Sequence, residues 1–245
     1  MKPIVRNILL GTLTALVAGG VIACMIWLGI RKHDPICKQL TIRITDLDER
    51  EYLTAQDIEG YILHAGFNPK NKPVSEVDLQ ATENTVRNHP LVRKAECYTT
   101  WQGDVVVVLT QRIPILRVLT ATESYFIDSD HTRMPILPSV KTSVMLVQGR
   151  VGERMAQEEL FDLTMWINKH PFFQQRIQSI IVEEGKQIVL QQKGDAPRIR
   201  LGALDGYRTK LKKVRTFIEH TPEEMNLPQY KELDVQYDNQ VVGRK

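Results

Sequence analysis

Charge is missing from one part of this chain: no Asp, Glu, Lys or Arg occurs between Arg6 and Arg31. Clustered histidine is missing too, since His33, His64, His89, His131, His170 and His220 stand singly. Cysteine is limited to Cys24, Cys37 and Cys97, with no C-x-x-C and no Cys/His spacing, which excludes the usual structural zinc motifs. There is no G-x-S-x-G nucleophile elbow, no H-E-x-x-H, no P-loop and no G-x-G-x-x-G, so the common hydrolase, metalloprotease and nucleotide-binding signatures are absent. Excess positive charge is missing as well. Of 32 Lys and Arg residues only Lys2 and Arg6 precede Arg31, which leaves near balance against 29 Asp and Glu. A nucleic-acid surface would need a clustered basic excess.

What is present is first an uncharged run, Ile8 to Ile30, that has no counterpart elsewhere in the chain. As a helix at ~1.5 Å per residue it would be about 34 Å long, against ~30 Å of hydrocarbon in a bilayer. The expectation is a single transmembrane helix over 8–30, a cytoplasmic tail over 1–7 and an outer part on the far side. Basic residues flank both ends of the run, so the positive-inside rule does not set the orientation; the short tail favours a cytoplasmic N-terminus. Two rivals exist. A cleaved signal peptide has a shorter apolar core and a small-x-small site, which the residues before Arg31 do not supply. Val21-Ile22-Ala23-Cys24 is similar to a lipobox, but Met25 to Ile30 continue the apolar stretch beyond that cysteine.

The outer chain divides at Pro114. Leu40–Thr45 alternates apolar and polar residues, as a half-buried strand does. Thr54 with Asp57 three residues on has near capping-box spacing. Ile58, Ile62 and Ala65 then fall on one helical face, and Gly66 is a stop. Asp78 can cap a second helix bearing Leu79, Thr82 and Val86, which Pro90 ends. Val92–Tyr98 and Asp104–Gln111 read as strands joined by a hairpin at Gln102-Gly103, with Val105–Leu109 suited to a central position. The order is β-α-α-β-β.

Beyond Pro114 the expected strands are Ile115–Leu119, Ser124–Ile127, Val144–Gln148, Arg176–Glu183, Gln187–Gln192, Arg198–Leu201 and a last one over Lys231–Tyr237. Helices are expected over Glu153–Lys169 and Leu204–Glu219. The fold class is α+β, with a β-rich second domain.

Few residues suggest chemistry. Asp128-Ser129-Asp130-His131 has ligand character, yet a calcium loop needs more oxygens, and Asp is a common turn former. Glu153, Glu158, Glu159 and Asp162 lie on or near one helix, where a solvated face has the same pattern as an acid–base pair. Arg208, Lys210, Lys212, Lys213 and Arg215 form a basic stripe, which suits contact with acidic lipid or a partner but more often is the face an amphipathic helix turns to water. Trp27 suits a membrane interface, Trp101 at a hairpin tip suits a contact, and Trp166 suits a core. Whether Cys37 and Cys97 pair is left open by the sequence.

Several segments, in order, resemble the FtsQ/DivIB family of bacterial cell-division proteins. Leu40-Thr-Ile-Arg-Ile44 is similar to its opening POTRA strand, and Leu53-Thr-Ala-Gln-Asp-Ile58 to the entry of its first helix. His89-Pro-Leu-Val92 with Ala95 resembles the helix-to-strand step, and Gln111-Arg112-Ile113-Pro114 stands where the family has Glu-Arg-x-Pro. Tyr125-Phe-Ile-Asp128 resembles the opening of the β domain, and Leu201-Gly202 with Lys210-Leu211 a later strand-to-helix step. Leu233-Asp-Val-Gln-Tyr237 stands where the family carries Asp-x-Arg-Tyr. Gln111, His131 and Gln236 depart from the pattern.

The resemblance implies a POTRA domain over 37–113 and a β domain over 114–245 with a partner-binding terminal strand. It implies a non-enzymatic, membrane-embedded divisome scaffold of the cytoplasmic (inner) membrane, single-pass, with its C-terminal part periplasmic at the division septum. It implies no catalytic residue, cofactor or metal, and no nucleic acid. Its partners would be FtsB- and FtsL-type bitopic proteins, bound by β-strand addition and linked to septal peptidoglycan synthesis, together with other divisome proteins. The partner-binding residues would be Tyr237, Asn239, Gln240 and Val241, on an edge that Tyr237→Ala or Val235→Pro would disturb. The competing readings are a membrane- or lipid-anchored periplasmic cell-wall enzyme, and an outer-membrane POTRA protein. The second would need a long barrel of alternating strands after Arg112.

Overall fold

The computed structural model describes residues 3–30, 34–45, 52–136, 140, 142–220, 230–237 and 240–245, with the side chains of 3–10 and 27–30 outside that description. Helix α1 spans Pro3–Ile30. From residue 11 to residue 26 its positions are all exposed, among them Leu16, Met25 and Ile26. Among the described residues no helix is long and apolar enough to cross a membrane. The transmembrane helix expected over 8–30 is therefore corrected. Gly11, Thr12, Thr14, Gly19 and Gly20 lie within the helix and dilute its apolar character.

The first sheet has the order β1-β3-β2, built from β1 (Leu40–Ile44), β2 (Val92–Thr99) and β3 (Val105–Gln111). β1 runs parallel to β3, and β2 runs antiparallel to it. Parallel neighbours need a crossover, and here α2 (Ala55–His64) and α3 (Leu79–Arg87) lie in that path. The capping box at the start of α2 forms as the sequence predicts: Thr54 Oγ1 accepts the Asp57 N–H (3.1 Å) and Asp57 Oδ2 accepts the Thr54 N–H (2.9 Å). Asp78 caps α3 through the Ala81 N–H (2.8 Å). Val105, Val106 and Val107 are all buried, as a central strand covered on both faces requires. Ile58, Ile62, Val86, Leu91 and Leu109 fill the core between sheet and helices.

The second sheet has nine strands in the order β12-β11-β10-β9-β8-β7-β4-β5-β6. Its chain order is β4 (Pro114–Leu119), β5 (Ser124–Asp128), β6 (Arg133–Pro135), β7 (Met145–Gly149), β8 (Ile177–Val182), β9 (Ile188–Gln192), β10 (Arg198–Gly202), β11 (Glu232–Asp234) and β12 (Val242–Arg244). β7 and β8 are parallel, and the crossover between them is α4 (Glu153–Gln157), α5 (Glu159–Lys169) and α6 (Pro171–Gln174). The single helix expected over Glu153–Lys169 is broken at Glu158, whose ψ of −83 leaves the helical region. At the start of the crossover Gly149 has φ +109, and a Cβ there would lie 2.2 Å from the Val182 carbonyl oxygen, so only glycine fits. α7 (Tyr207–His220) packs Leu211 and Val214 into the core of this unit.

The two sheets share a core. Phe126 and Met134 on β5 and β6, with Val140, cluster with Tyr52, Leu53, Leu91 and Val92 of the first unit. Ion pairs cross the same junction, Arg112 to Asp128 and Arg93 to Asp130.

Candidate functional site

Among the described residues the sheet ends at β12, which is an edge strand. This changes the expected position of the open edge. The Lys231–Tyr237 segment is not the edge, because β11 is flanked by β10 on one side and β12 on the other. Val235 belongs to the interior: it is fully buried and its N–H donates to the Arg200 carbonyl (3.0 Å). A proline there would break the host sheet and would not probe a free edge.

The hydrogen-bond directions along β11 determine which backbone groups of β12 face out. Arg198 N–H donates to Lys231 O (2.9 Å) and Val235 N–H to Arg200 O, so the odd-numbered positions of β11 point to β10. Glu232 and Asp234 consequently turn towards Arg244 and Val242, their register partners. In an antiparallel ladder the alternate residue faces the other way, so Gly243 turns its N–H and C=O outward. An outward donor and acceptor on a sheet edge form a template for another strand.

Three residues make a short strand, and charged contacts hold it. Asp234 is fully buried; its Oδ2 accepts from Arg244 Nη2 (2.6 Å), and its Oδ1 accepts from the backbone N–H and Nε2 of Gln236 (3.1 Å each). Glu232 takes Nε and Nη2 of Arg200 (2.7 and 3.0 Å), and Arg200 Nη1 reaches Glu183 (2.8 Å). Hydrogen bonds from Glu232 first and Glu183 second raise the Arg200 pKa further above its ordinary range. From α7, Lys213 Nζ donates to the carbonyls of Val235 (3.3 Å) and Tyr237 (2.5 Å), tying the strand-to-strand connection to the helix.

Of the expected partner-binding residues, Tyr237, Gln240 and Val241 lie in the connection between β11 and β12, and Asn239 lies outside the described residues. Tyr237 is 50% exposed. Gln240 and Val241, with Thr209, Lys212, Lys213, Thr216 and Phe217 of α7, line an open groove of about 510 Å³. Gln240 and Val241 thus face α7 across this groove, and Tyr237 is held to the same helix through its carbonyl and Lys213. Sequence reasoning missed β12, Asp234, Arg244 and Lys213. The β-branched pair Val241-Val242 was the one local signal for a strand there.

The other candidates resolve into structural roles. Asp128 organises the β5–β6 turn: its Oδ1 accepts the N–H groups of Asp130 (2.9 Å) and Thr132 (2.8 Å), and its Oδ2 takes Arg112. Glu153 pairs with Arg133, and Glu158 with Arg154. Among the described residues no group of three His, Cys, Asp or Glu is placed to hold a metal ion. Cys24, Cys37 and Cys97 are free thiols; burial first, and Glu83 second, push Cys97 up to about 11. Trp166 is half-buried and stacks on His170.

A three-stranded β-α-α-β-β unit followed by a nine-stranded sheet makes a two-module α+β protein. Residues 113–244 match the family described as FtsQ/DivIB, C-terminal related, and residues 35–110 match the POTRA-like domain. The chain belongs to the FtsQ/DivIB family. That family is one of non-enzymatic cell-division scaffolds acting at the division-site membrane and interacting with other divisome proteins. No curated protein matches the chain.

Proposed function

We propose that this chain is a non-enzymatic divisome scaffold working outside the cytoplasmic membrane. In this reading it binds FtsB- and FtsL-type bitopic proteins and links them to septal peptidoglycan synthesis. The partner adds a β-strand to the outer side of β12, and Tyr237, Asn239, Gln240 and Val241 supply side-chain contacts beside it. Functionally the outer chain divides into a POTRA domain over 37–113 and a β domain over 114–245, with recruitment assigned to the first and partner binding to the second.

The observation that carries this reading is Gly243 on a terminal edge strand, its backbone donor and acceptor turned away from β11. Main-chain pairing supplies affinity in strand addition, and neighbouring pockets supply specificity. The groove lined by Gln240, Val241 and α7 supports this reading.

Co-purification of the full chain with an FtsB-type protein tests the reading. Tyr237→Ala removes an exposed aromatic and should weaken binding about tenfold or more, as loss of an interface anchor does. Gly243→Pro removes the outward N–H and should abolish binding. Circular dichroism of the Tyr237→Ala protein should match wild type. Undiminished capture by both variants overturns the proposal.

A further inference from the structure

We propose that Glu83 of α3 is an edge guard: its carboxylate closes the outer side of β2 to strand addition and so keeps a second copy of this chain from pairing there. The device lies on the first unit and is independent of the β12 edge.

β2 borders the first sheet and, with eight residues, is the longest strand described. A long edge strand is a template for another chain, and proteins block such edges. At one end of the second sheet β6 is blocked by its brevity, three residues, and by Pro135. β2 is neither short nor interrupted by proline. Its own charges protect it little. Lys94 and Glu96 pair with each other (2.6 Å). An antiparallel second copy centred on Cys97 would set Glu96 opposite Tyr98 and Lys94 opposite Thr100, with no like charges facing.

The ladder fixes which backbone groups of β2 face out. Thr100 N–H donates to Asp104 O across the hairpin (2.9 Å), in line with the pairing of Thr99 with Val105 and Cys97 with Val107. Alternate residues of an antiparallel strand turn to opposite sides. Glu96 and Tyr98 therefore bond to β3, while Ala95, Cys97 and Thr99 turn their N–H and C=O groups away from it. In the middle of that outward row Cys97 N–H donates to Glu83 Oε2 (3.0 Å). Glu83 reaches it from α3, the helix packed beside β2, and its other oxygen is held by Arg87 one turn further on. The carboxylate sits where the carbonyl of an added strand would have to sit. It accepts hydrogen bonds and has no proton to donate. An incoming strand would have to displace a charge-assisted bond, which is stronger than the neutral one replacing it. The first unit then meets partners on this side through side chains, and main-chain pairing is kept for other edges.

Amide hydrogen exchange on the full-length chain reads the guard directly. In wild type the Cys97 amide should exchange slowly although it faces away from β3. Glu83→Ala should speed it about tenfold or more, as loss of a charged hydrogen bond does. At higher protein concentration Ala95, Cys97 and Thr99 of that variant should slow again as copies pair. Co-purification of two differently tagged full-length copies should rise in Glu83→Ala over wild type. It should return to the wild-type level in Glu83→Ala/Cys97→Pro, which lacks the outward donor and keeps the bonds to β3. A wild-type Cys97 amide that exchanges as fast as an unbonded one overturns the proposal, and that measurement needs no variant to fold. So does co-purification unchanged by Glu83→Ala, or raised equally in the double variant, which would mark exposed core surface and not an open edge. Capture of an FtsB-type protein at β12 should be the same in wild type and Glu83→Ala, so failure here and failure of the scaffold reading are separable.

Discussion

Arg112 Nη1 lies 2.5 Å from Asp128 Oδ2, joining the end of the first sheet to the turn that closes β5 on β6. The Asp128 side chain is 1% exposed and that of Arg112 22%. Removing one partner of a buried pair costs roughly 3–5 kcal/mol, and the partial exposure of Arg112 sets the expectation at the lower end, about 3 kcal/mol. Arg112→Ala should lower the urea midpoint accordingly. Asp128→Asn should cost less, because its amide oxygen can still accept the N–H groups of Asp130 and Thr132. Equal midpoints for Arg112→Ala and wild type would show that the pair does not hold the junction.

His89 gives the first sheet a pH dependence. Burial lowers its pKa below 6.5, with the Asp57 charge working the other way, and its Nδ1 accepts the Leu91 N–H (3.2 Å). Above 6.5 the imidazole is neutral in both the folded and the unfolded chain. As pH falls below that value the unfolded imidazole takes up a proton before the folded one does. Unfolding then binds protons, and stability falls until the folded group also protonates. Stability should therefore decline as pH drops from 6.5 through the lowered folded value, and His89→Gln should flatten that slope. Urea midpoints measured from pH 7 to pH 5 on both proteins check this; parallel curves would count against it.

What was readable in the sequence was what local chemistry determines. Thr54 and Asp57 make their reciprocal bonds three residues apart, so the start of α2 needed no tertiary information. The β-branched run of β3 likewise carried its own central position. β12 was not readable, because Val242–Arg244 is a strand only through pairing with β11 and through the contact of Arg244 with Asp234. The assignment of the open edge failed for that reason: Lys231–Tyr237 has a strand's pattern, but which strand lies outermost is a non-local fact. Of the site, Tyr237, Gln240 and Val241 could be proposed by position. Lys213 looked like one member of a solvated basic stripe until its carbonyl partners 22 and 24 residues away were in view.

Lys213 is accordingly predicted to position the edge. Lys213→Met keeps the aliphatic stem against the groove and removes the donor to Val235 O and Tyr237 O. A charged hydrogen bond contributes about 1.5–3 kcal/mol, and here the loss falls on the connection between β11 and β12. Amide exchange should accelerate from Gln240 to Arg244 while β8 and β9 keep their protection. Lys213→Arg should restore part of it. Uniform acceleration across the sheet would indicate general destabilisation and no positioning role.

Arg244→Ala should separate the formation of the edge from the contacts made on it. The Arg244 side chain is 53% exposed, so its bond to Asp234 is worth less than a fully buried pair, about 1 kcal/mol. For a three-residue strand that is enough to let β12 fray. A partner needing β12 formed would then bind more weakly in proportion to the fraction of time the strand is in place. Tyr237→Ala should weaken the same partner by a different route, since it leaves β12 paired and removes a side chain. Hydrogen exchange at Val242 and residue 244, whose N–H groups face β11, distinguishes the two: faster in Arg244→Ala, unchanged in Tyr237→Ala, with partner affinity lower in both. Unchanged exchange in Arg244→Ala would mean that backbone pairing with β11 alone secures the strand.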